Sequence, residues 1–360
     1  MGFTPDDVFF LEGSSVLGRE KRAPFVGVYF GRHGYDPADA DLLDDLRLDS
    51  VVTVPVVPSL ENFAQQVPPA LSSVNGLEID VLDVTLERVC SIILQQFRML
   101  RKQRRLFISY RRADSTPIAM QLYAALDSRG FDVFLDTNGV PPGEDFQDIL
   151  WHRLADSDVV VLLDTEGFSE SRWTQEELAR ANTTNIQILH LLWPERPERA
   201  DSAFSIFRRM TVDQFIDQNA GPHGVLAEDS VGRITIEVEA LRARAIAARY
   251  RFLVDSFCDA ARATGLSPSV QTDRKIVVEG GRHRVVAVPL VGVPSAEGLH
   301  EEVVGFPESN LTAETRLWAI FDERGLLSRT LTHLAWLSPR LPISAVPVFD
   351  IVSRLGEEAP

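Results

Sequence analysis

Val159-Val160-Val161-Leu162-Leu163 and, a short way on, Ser171-Arg172-Trp173-Thr174-Gln175-Glu176-Glu177-Leu178 are the two stretches that decide the fold. The first is an unbroken apolar run of strand length, rich in β-branched residues, and reads as a strand buried on both faces. The second opens a helix, so its first turn lies at the carboxyl edge of a parallel sheet, where open α/β folds bind ligands. Trp173 and Glu177 are spaced to share one helix face, an aromatic ring beside a carboxylate. Glu176, the neighbouring acid, faces about 100° away.

Outward from that strand the same rhythm continues in both directions. Leu106 to Tyr110 is expected as a strand and Pro117 to Arg129 as a helix with proline in its first position. Phe131 to Leu135 is a second strand, followed by a Pro-Gly loop from Asn138 to Glu144 and a helix from Phe146 to Asp156. Thr174 to Asn182 is a helix and Ile186 to Trp193 a further strand. Helices between buried strands predict a doubly wound parallel sheet.

The flanks are α/β as well. Phe25 to Phe30 and Ser50 to Val57 read as strands, Asp39 to Leu48 and Val81 to Leu100 as helices. Ser230 to Asp255 is a long amphipathic helix leading into the last part of the chain. There, Arg274 to Val278 and Arg284 to Leu290 form a hairpin about Gly280-Gly281. Leu317 to Phe321, a helix over Leu326 to Leu337 and a strand over Ser344 to Phe349 complete it. The loop from Pro289 to Ser295 is a weak phosphate-loop signal without GxGxxG or Walker spacing.

With 360 residues the chain exceeds one ordinary domain. Three are expected: 1–102, 103–228 and 229–360. A formal charge of −16 excludes general nucleic-acid or anionic-membrane binding, which needs a basic surface. The basic run from Arg98 to Arg105 reads as a solvated linker. Cys90 and Cys258 stand on apolar stretches without a metal-ligand or CxxC neighbour, so buried thiols are expected and no metal site. His283, His300 and His333 lack metal-ligand spacing too. There is no signal-peptide pattern and no apolar run of membrane-spanning length, so a cytoplasmic protein with no membrane partner is the expectation.

The middle block resembles a TIR (Toll/interleukin-1 receptor) domain over roughly Arg104 to Asp217. Phe107-Ile108-Ser109-Tyr110-Arg111-Arg112-Ala113-Asp114-Ser115 looks like that family's first strand and following loop, and Gly130 to Asp136 like its second strand. Val140-Pro141-Pro142-Gly143-Glu144-Asp145-Phe146 resembles its BB loop, and Leu154 to Leu163 its third strand. Ser171 to Leu178 is similar to its Ser-x-Trp-Cys-x-x-Glu-Leu box, with Thr174 in place of the cysteine. The fold this implies is a flavodoxin-like TIR domain between two smaller α/β domains. Val52 to Leu77 and the helix after it are faintly similar to the later half of a TIR domain. They lack a Trp-x-x-x-Glu equivalent, so a degenerate module is the expectation for residues 1–102.

Many TIR domains cleave NAD at the nicotinamide–ribose bond, and the resemblance carries that activity here as an expectation. Glu177 would be the catalytic carboxylate, facing an oxocarbenium-like ribose as in glycoside cleavage. Trp173 would stack on a ring of the dinucleotide, and Ser109, Tyr110, Arg111 and Asp136 would contact substrate from the strand ends. NAD+ is then substrate and no further cofactor is implied. Val140, Pro141, Pro142 and Gly143 would form an assembly loop that completes a neighbouring subunit's site in a homo-oligomer. The flanking domains would receive an activating ligand or protein, in the setting of bacterial anti-phage signalling. Two rivals stand beside this: a non-enzymatic scaffold signalling through TIR–TIR contacts, and a ligand-binding TIR unit with the activity in the flanks. Each residue also has a plainer role: Glu177 favouring a helix N-terminus, Trp173 stapling the core, Arg111 and Arg112 as surface charges.

Overall fold

In the computed structural model the described residues are 9–20, 23, 25–79, 82–97, 100–135, 152–166, 168, 184–198, 205–271, 274–306, 312 and 314–359. The chain divides into two compact units, Met1–Lys102 and Gln103–Pro360.

The first unit is a small parallel sheet. Strands β1 (Gly27–Phe30), β2 (Thr53–Val57) and β3 (Leu77–Glu78) lie in the order β1-β2-β3, with Gly27 beside Thr53 and Val56 beside Leu77. Helix α1 (Pro37–Leu48) begins with Pro37 behind Asp36, whose carboxylate accepts the Ala38 N–H at 2.9 Å. Its Leu43 and Leu46 pack with Val16, Val57, Val67 and Leu71 in one cluster. Val54, Val56 and Leu77 form another with Val89 of α2 (Leu82–Gln96). Buried Arg19 pairs with Asp45 at 3.2 Å and with Asp49, tying the N-terminal segment to the end of α1.

The second unit begins with five parallel strands: β4 (Arg105–Ser109), β5 (Asp132–Leu135), β6 (Val159–Asp164), β7 (Gln187–Leu192) and β8 (Ile206–Arg209). Their order is β5-β4-β6-β7-β8, the flavodoxin-like winding. Every residue of β6 is buried, as its unbroken apolar run requires of a central strand. Alternate side chains serve two cores. Val159, Val161 and Leu163 pack with Ile118, Leu122 and Leu126 of α3 (Arg112–Asp127); Val160 and Leu162 pack with Phe107, Leu154, Phe168 and Ile188.

Helix α3 starts earlier than Pro117, the expected first residue. It turns from Arg112 and breaks at Ser115 (φ −147°, ψ 19°). Proline has no N–H for the carbonyl of Ala113 and its ring crowds it, so the regular helix resumes only beyond the break.

The expected long helix is longer than its apolar pattern suggests. Helix α4 (Glu228–Ala263) has 36 residues and is about 54 Å long at 1.5 Å per residue. Its first half packs Val231, Ile234, Val238 and Leu241 against the first sheet. Its second half packs Leu253, Phe257, Ala260 and Ala261 against a second sheet. That sheet contains β9 (Ser267–Val270), β10 (Ile276–Glu279), β11 (Arg284–Pro289), β12 (Thr315–Phe321) and β13 (Ile343–Pro347) in the order β13-β12-β11-β10-β9. β10 and β11 are the antiparallel hairpin about Gly280-Gly281, and β11, β12 and β13 run parallel. Leu299 of α5 (Ala296–Val304) and Leu334 of α6 (Ser328–Leu337) cover one face. Ile351 and Leu355 of α7 (Ile351–Glu358) join α4 on the other.

Ion pairs and hydrogen bonds gather at the amino end of the first sheet, on the side of the second. Arg104 pairs with Glu239 and rests on the Phe131 ring, and Arg105 pairs with Asp156. These arginines were expected in a solvated linker; in the fold they anchor the amino end of β4. Arg249 donates to the carbonyls of Ser157 at 3.0 Å and Ala155 at 2.8 Å. The Val293 N–H, in the Pro289 to Ser295 loop, donates to Asp156 at 3.1 Å. The loop read as a weak phosphate signal thus meets a carboxylate of its own chain. All these contacts lie at the amino ends of β4 and β6, so the carboxyl ends point away from them.

Of the two thiols, Cys258 is buried as expected and Cys90 is exposed. Among the described residues no helix is long and apolar enough to cross a membrane.

Candidate functional site at the carboxyl ends of β4 and β6

The winding order reverses between β4 and β6, whose connections leave in opposite directions, and open α/β sheets bind ligands at the carboxyl ends of strands at such a switch point. Ser109 ends β4 and Asp164 ends β6, two residues beyond the Leu162 that pairs with Ser109.

Three of the sequence-derived site residues sit here. Ser109 is wholly buried, and Tyr110 packs inside the core cluster on the α3 and α4 side. Arg111 takes the residue position before α3 with extended backbone (φ −90°, ψ 120°) and keeps its side chain 39% exposed. Of the three, Arg111 has the reach to meet a dissolved anion. Its Nη1 lies 3.2 Å from Oδ2 of Asp114, and the same oxygen accepts the Thr165 hydroxyl at 2.9 Å. Thr165 directly follows β6, so this relay ties the residues that follow the two strands together at the switch point. Trp173, Glu177, Asp136, Val140, Pro141, Pro142 and Gly143 lie outside the described residues.

A second polar group borders the same edge and was not singled out from the sequence. Asp164 is fully buried; its Oδ1 is 3.2 Å from Nη2 of Arg196, in the turn after β7, and its Oδ2 is 3.3 Å from Nε2 of His190. His190 is 1% exposed, stacked on Phe207 with centroids 5.2 Å apart and met edge-on by Phe168 at 6.4 Å. Its contact with Asp164 is too oblique for a hydrogen bond, and among the described residues neither ring nitrogen has a hydrogen-bond partner. Burying an unmatched polar group costs about 1–3 kcal/mol. The backbone around it is pinned: the Trp193 N–H donates to the Asp164 carbonyl at 3.1 Å, and Phe168 N–H to Thr165 at 3.1 Å. Glu195, beside Arg196, takes a left-handed φ of 67°. One sequence signal pointed here: a charged residue closing an otherwise apolar buried strand. His190 carried none, being a single polar residue within Ile188-Leu189-His190-Leu191-Leu192.

At the other end of the domain, burial pushes the His152 imidazole below its usual range, and the positive charges of Arg153, Arg329 and Arg105 add to the effect. Among the described residues no group of acidic, histidine and cysteine side chains is arranged to hold a metal ion.

Residues 106–221 match the family model for the TIR domain, and the first five-stranded sheet with its helices is a TIR domain. No curated protein and no solved structure matches the chain. A TIR domain supports a role in TIR-family signalling, and such domains generally interact through TIR–TIR contacts.

Proposed function

We propose that the protein is a NAD+ glycohydrolase whose TIR domain cleaves the nicotinamide–ribose bond. The observation that carries this reading is the Arg111–Asp114–Thr165 relay at the switch point of a TIR sheet, which holds a half-exposed guanidinium where a dinucleotide's diphosphate would be met. Trp173 and Glu177 follow β6 in the chain and supply the ring and the carboxylate.

In the proposed reaction the C–N bond between ribose and nicotinamide breaks and its electron pair leaves with nicotinamide as a neutral group. The Glu177 carboxylate stabilises the oxocarbenium character left on the ribose. Water then adds to that carbon and loses a proton, giving ADP-ribose; attack by an adenine nitrogen instead would give a cyclic product. Trp173 stacks on a ring of the substrate and Arg111 holds the diphosphate. Asp136 contacts substrate from the end of β5. Activity rises with self-assembly, because the loop at Val140, Pro141, Pro142 and Gly143 completes the site of a neighbouring copy and a site completed by two chains works only when they meet. An activating signal acting on the flanking domains would favour that assembly.

The test is nicotinamide release from NAD+ by the purified chain at low and high protein concentration, beside Glu177→Gln. Turnover that rises with concentration and falls at least about a hundredfold in the variant supports the reading. Equal turnover in the variant removes Glu177 from the mechanism. Absence of turnover at every concentration fits a signalling scaffold or an enzyme still lacking its activating signal.

A further inference from the structure

The Asp164–His190–Arg196 cluster is not used by the chemistry above, and its construction is poor as packing. His190 occupies an aromatic slot between Phe207 and Phe168 that a phenyl ring would fill without any polar requirement. Instead it buries two ring nitrogens without hydrogen-bond partners among the described residues, 3.3 Å from a carboxylate that is itself fully buried. Because His190 makes no hydrogen bond among the described residues, an apolar ring there would break none and would be neutral or stabilising if the site served the fold alone. The cluster's place is equally specific. Parallel register sets His190 beside Leu162, and Asp164 is the last residue of a strand at the switch point.

We propose that His190 and Arg196 are positioning residues for the substrate anchor: Arg196 bonds the Asp164 carboxylate and the His190 ring packs against it, and together they fix the end of β6 from which Thr165 holds Asp114 and, through it, Arg111. The inference deepens the NAD+ reading of the same site and rests on it. Two grips then act on adjacent residues of one strand end. Asp164 is bonded from the β7 side by Arg196 at 3.2 Å, with the His190 ring packed 3.3 Å from its other oxygen, and Thr165 is held by Asp114, in the first turn of α3, at 2.9 Å. Because Asp114 accepts both Thr165 and Arg111, a shift of the β6 end passes to the guanidinium through one carboxylate. Arg196 is set in turn by Arg209, whose guanidinium donates to the Arg196 carbonyl at 2.6 Å. The clamp thus spans the ends of β6, β7 and β8 before it reaches the anchor between β4 and α3. None of its members needs to touch substrate; they act by placing the group that does.

The experiment compares full-length wild type with His190→Phe, His190→Gln and Asp164→Asn. It reads kcat and KM for nicotinamide release, ADP-ribose binding by calorimetry, and thermal melting. His190→Phe is expected to melt at or above wild type while KM for NAD+ and the ADP-ribose Kd rise roughly tenfold, kcat changing little. Asp164→Asn should act in the same direction, and His190→Gln, which can donate toward Asp164, should recover part of the loss. Unchanged KM and Kd in His190→Phe overturn the proposal. A lowered melting temperature with unchanged KM assigns the ring to the fold alone and also overturns it. Wild type that neither turns over NAD+ nor binds ADP-ribose overturns the NAD+ reading itself, and the clamp's role falls with it.

Discussion

Arg242, near the middle of the 36-residue helix α4, and Asp158, the residue before β6, form a 3.1 Å ion pair in which neither side chain is exposed to solvent. The helix that serves both sheets is therefore bolted to the TIR domain by a buried charge pair at the amino edge of the sheet. Arg249, two turns further along, donates to the carbonyls of Ala155 and Ser157 in the same short segment.

Removing one partner of that pair should be far worse than removing both. Arg242→Ala takes the cation from a buried carboxylate and is expected to cost about 3–5 kcal/mol, whereas Arg242→Met combined with Asp158→Leu is expected to lie close to wild type. Urea unfolding of the full chain, with a probe in each sheet, measures both. A double variant as unstable as the single one would show that the pair's value is not in mutual neutralisation.

The contact between the C-terminal sheet and the TIR domain can be probed at a glycine. Gly325 has φ of 82°, and a Cβ added there would meet the Ala155 Cβ at 3.0 Å. Gly280 has a similar φ of 89° and open space around it. Backbone strain alone should make Gly280→Ala cost about 1–2 kcal/mol. Gly325→Ala should cost more, the excess reporting the packing against Ala155. Equal melting shifts for the two variants would mean that the contact yields freely.

The anchor assignment predicts a kinetic signature. Arg111→Ala is expected to raise KM for NAD+ roughly tenfold with a smaller change in kcat, since a charge-assisted contact to diphosphate is made in the ground state as well. Asp114→Asn should produce a weaker shift of the same kind. A fall in kcat alone would place Arg111 in the chemical step instead.

In the first unit the Tyr29 phenol is pushed up to about 12, by burial first and then by the charge and hydrogen bond of Asp39 at 3.3 Å. A raised phenol favours the protonated form in the folded state. Its contribution is therefore whole below the unfolded value of about 10 and fades as pH rises through the folded one. Absorbance titration should show one late tyrosine, and Asp39→Asn should move it toward the ordinary range. A Tyr29→Phe chain with an unchanged titration curve would refute the assignment.

The thiols should separate cleanly. Cys90 is exposed, while burial raises the Cys258 thiol and keeps it protonated. Iodoacetamide at neutral pH is expected to modify Cys90 in the native protein and Cys258 only after denaturation, as peptide mass mapping would reveal.

Local pattern was enough for much of this molecule. The apolar run Val159 to Leu163 read as a buried strand, and its neighbours' alternation of strand and helix as a parallel sheet, because each step depends on residues close in the chain. The TIR family was legible for the same reason, since its motifs are contiguous, and Ser109, Tyr110 and Arg111 fell at a strand end that any such sheet presents as a binding edge. Their individual orientations were not legible: the turn from β4 into α3 sends Tyr110 into the core and leaves Arg111 outside. Asp164, His190 and Arg196 are far apart in the chain and meet only because β6 and β7 pair in one particular register, with Leu162 beside His190. Likewise Arg104 and Arg105 looked like solvated charge until α4 brought Glu239 and the end of the helix before β6 brought Asp156 against them. Charges acquire partners across the chain through tertiary packing, and no periodicity records which ones they will be.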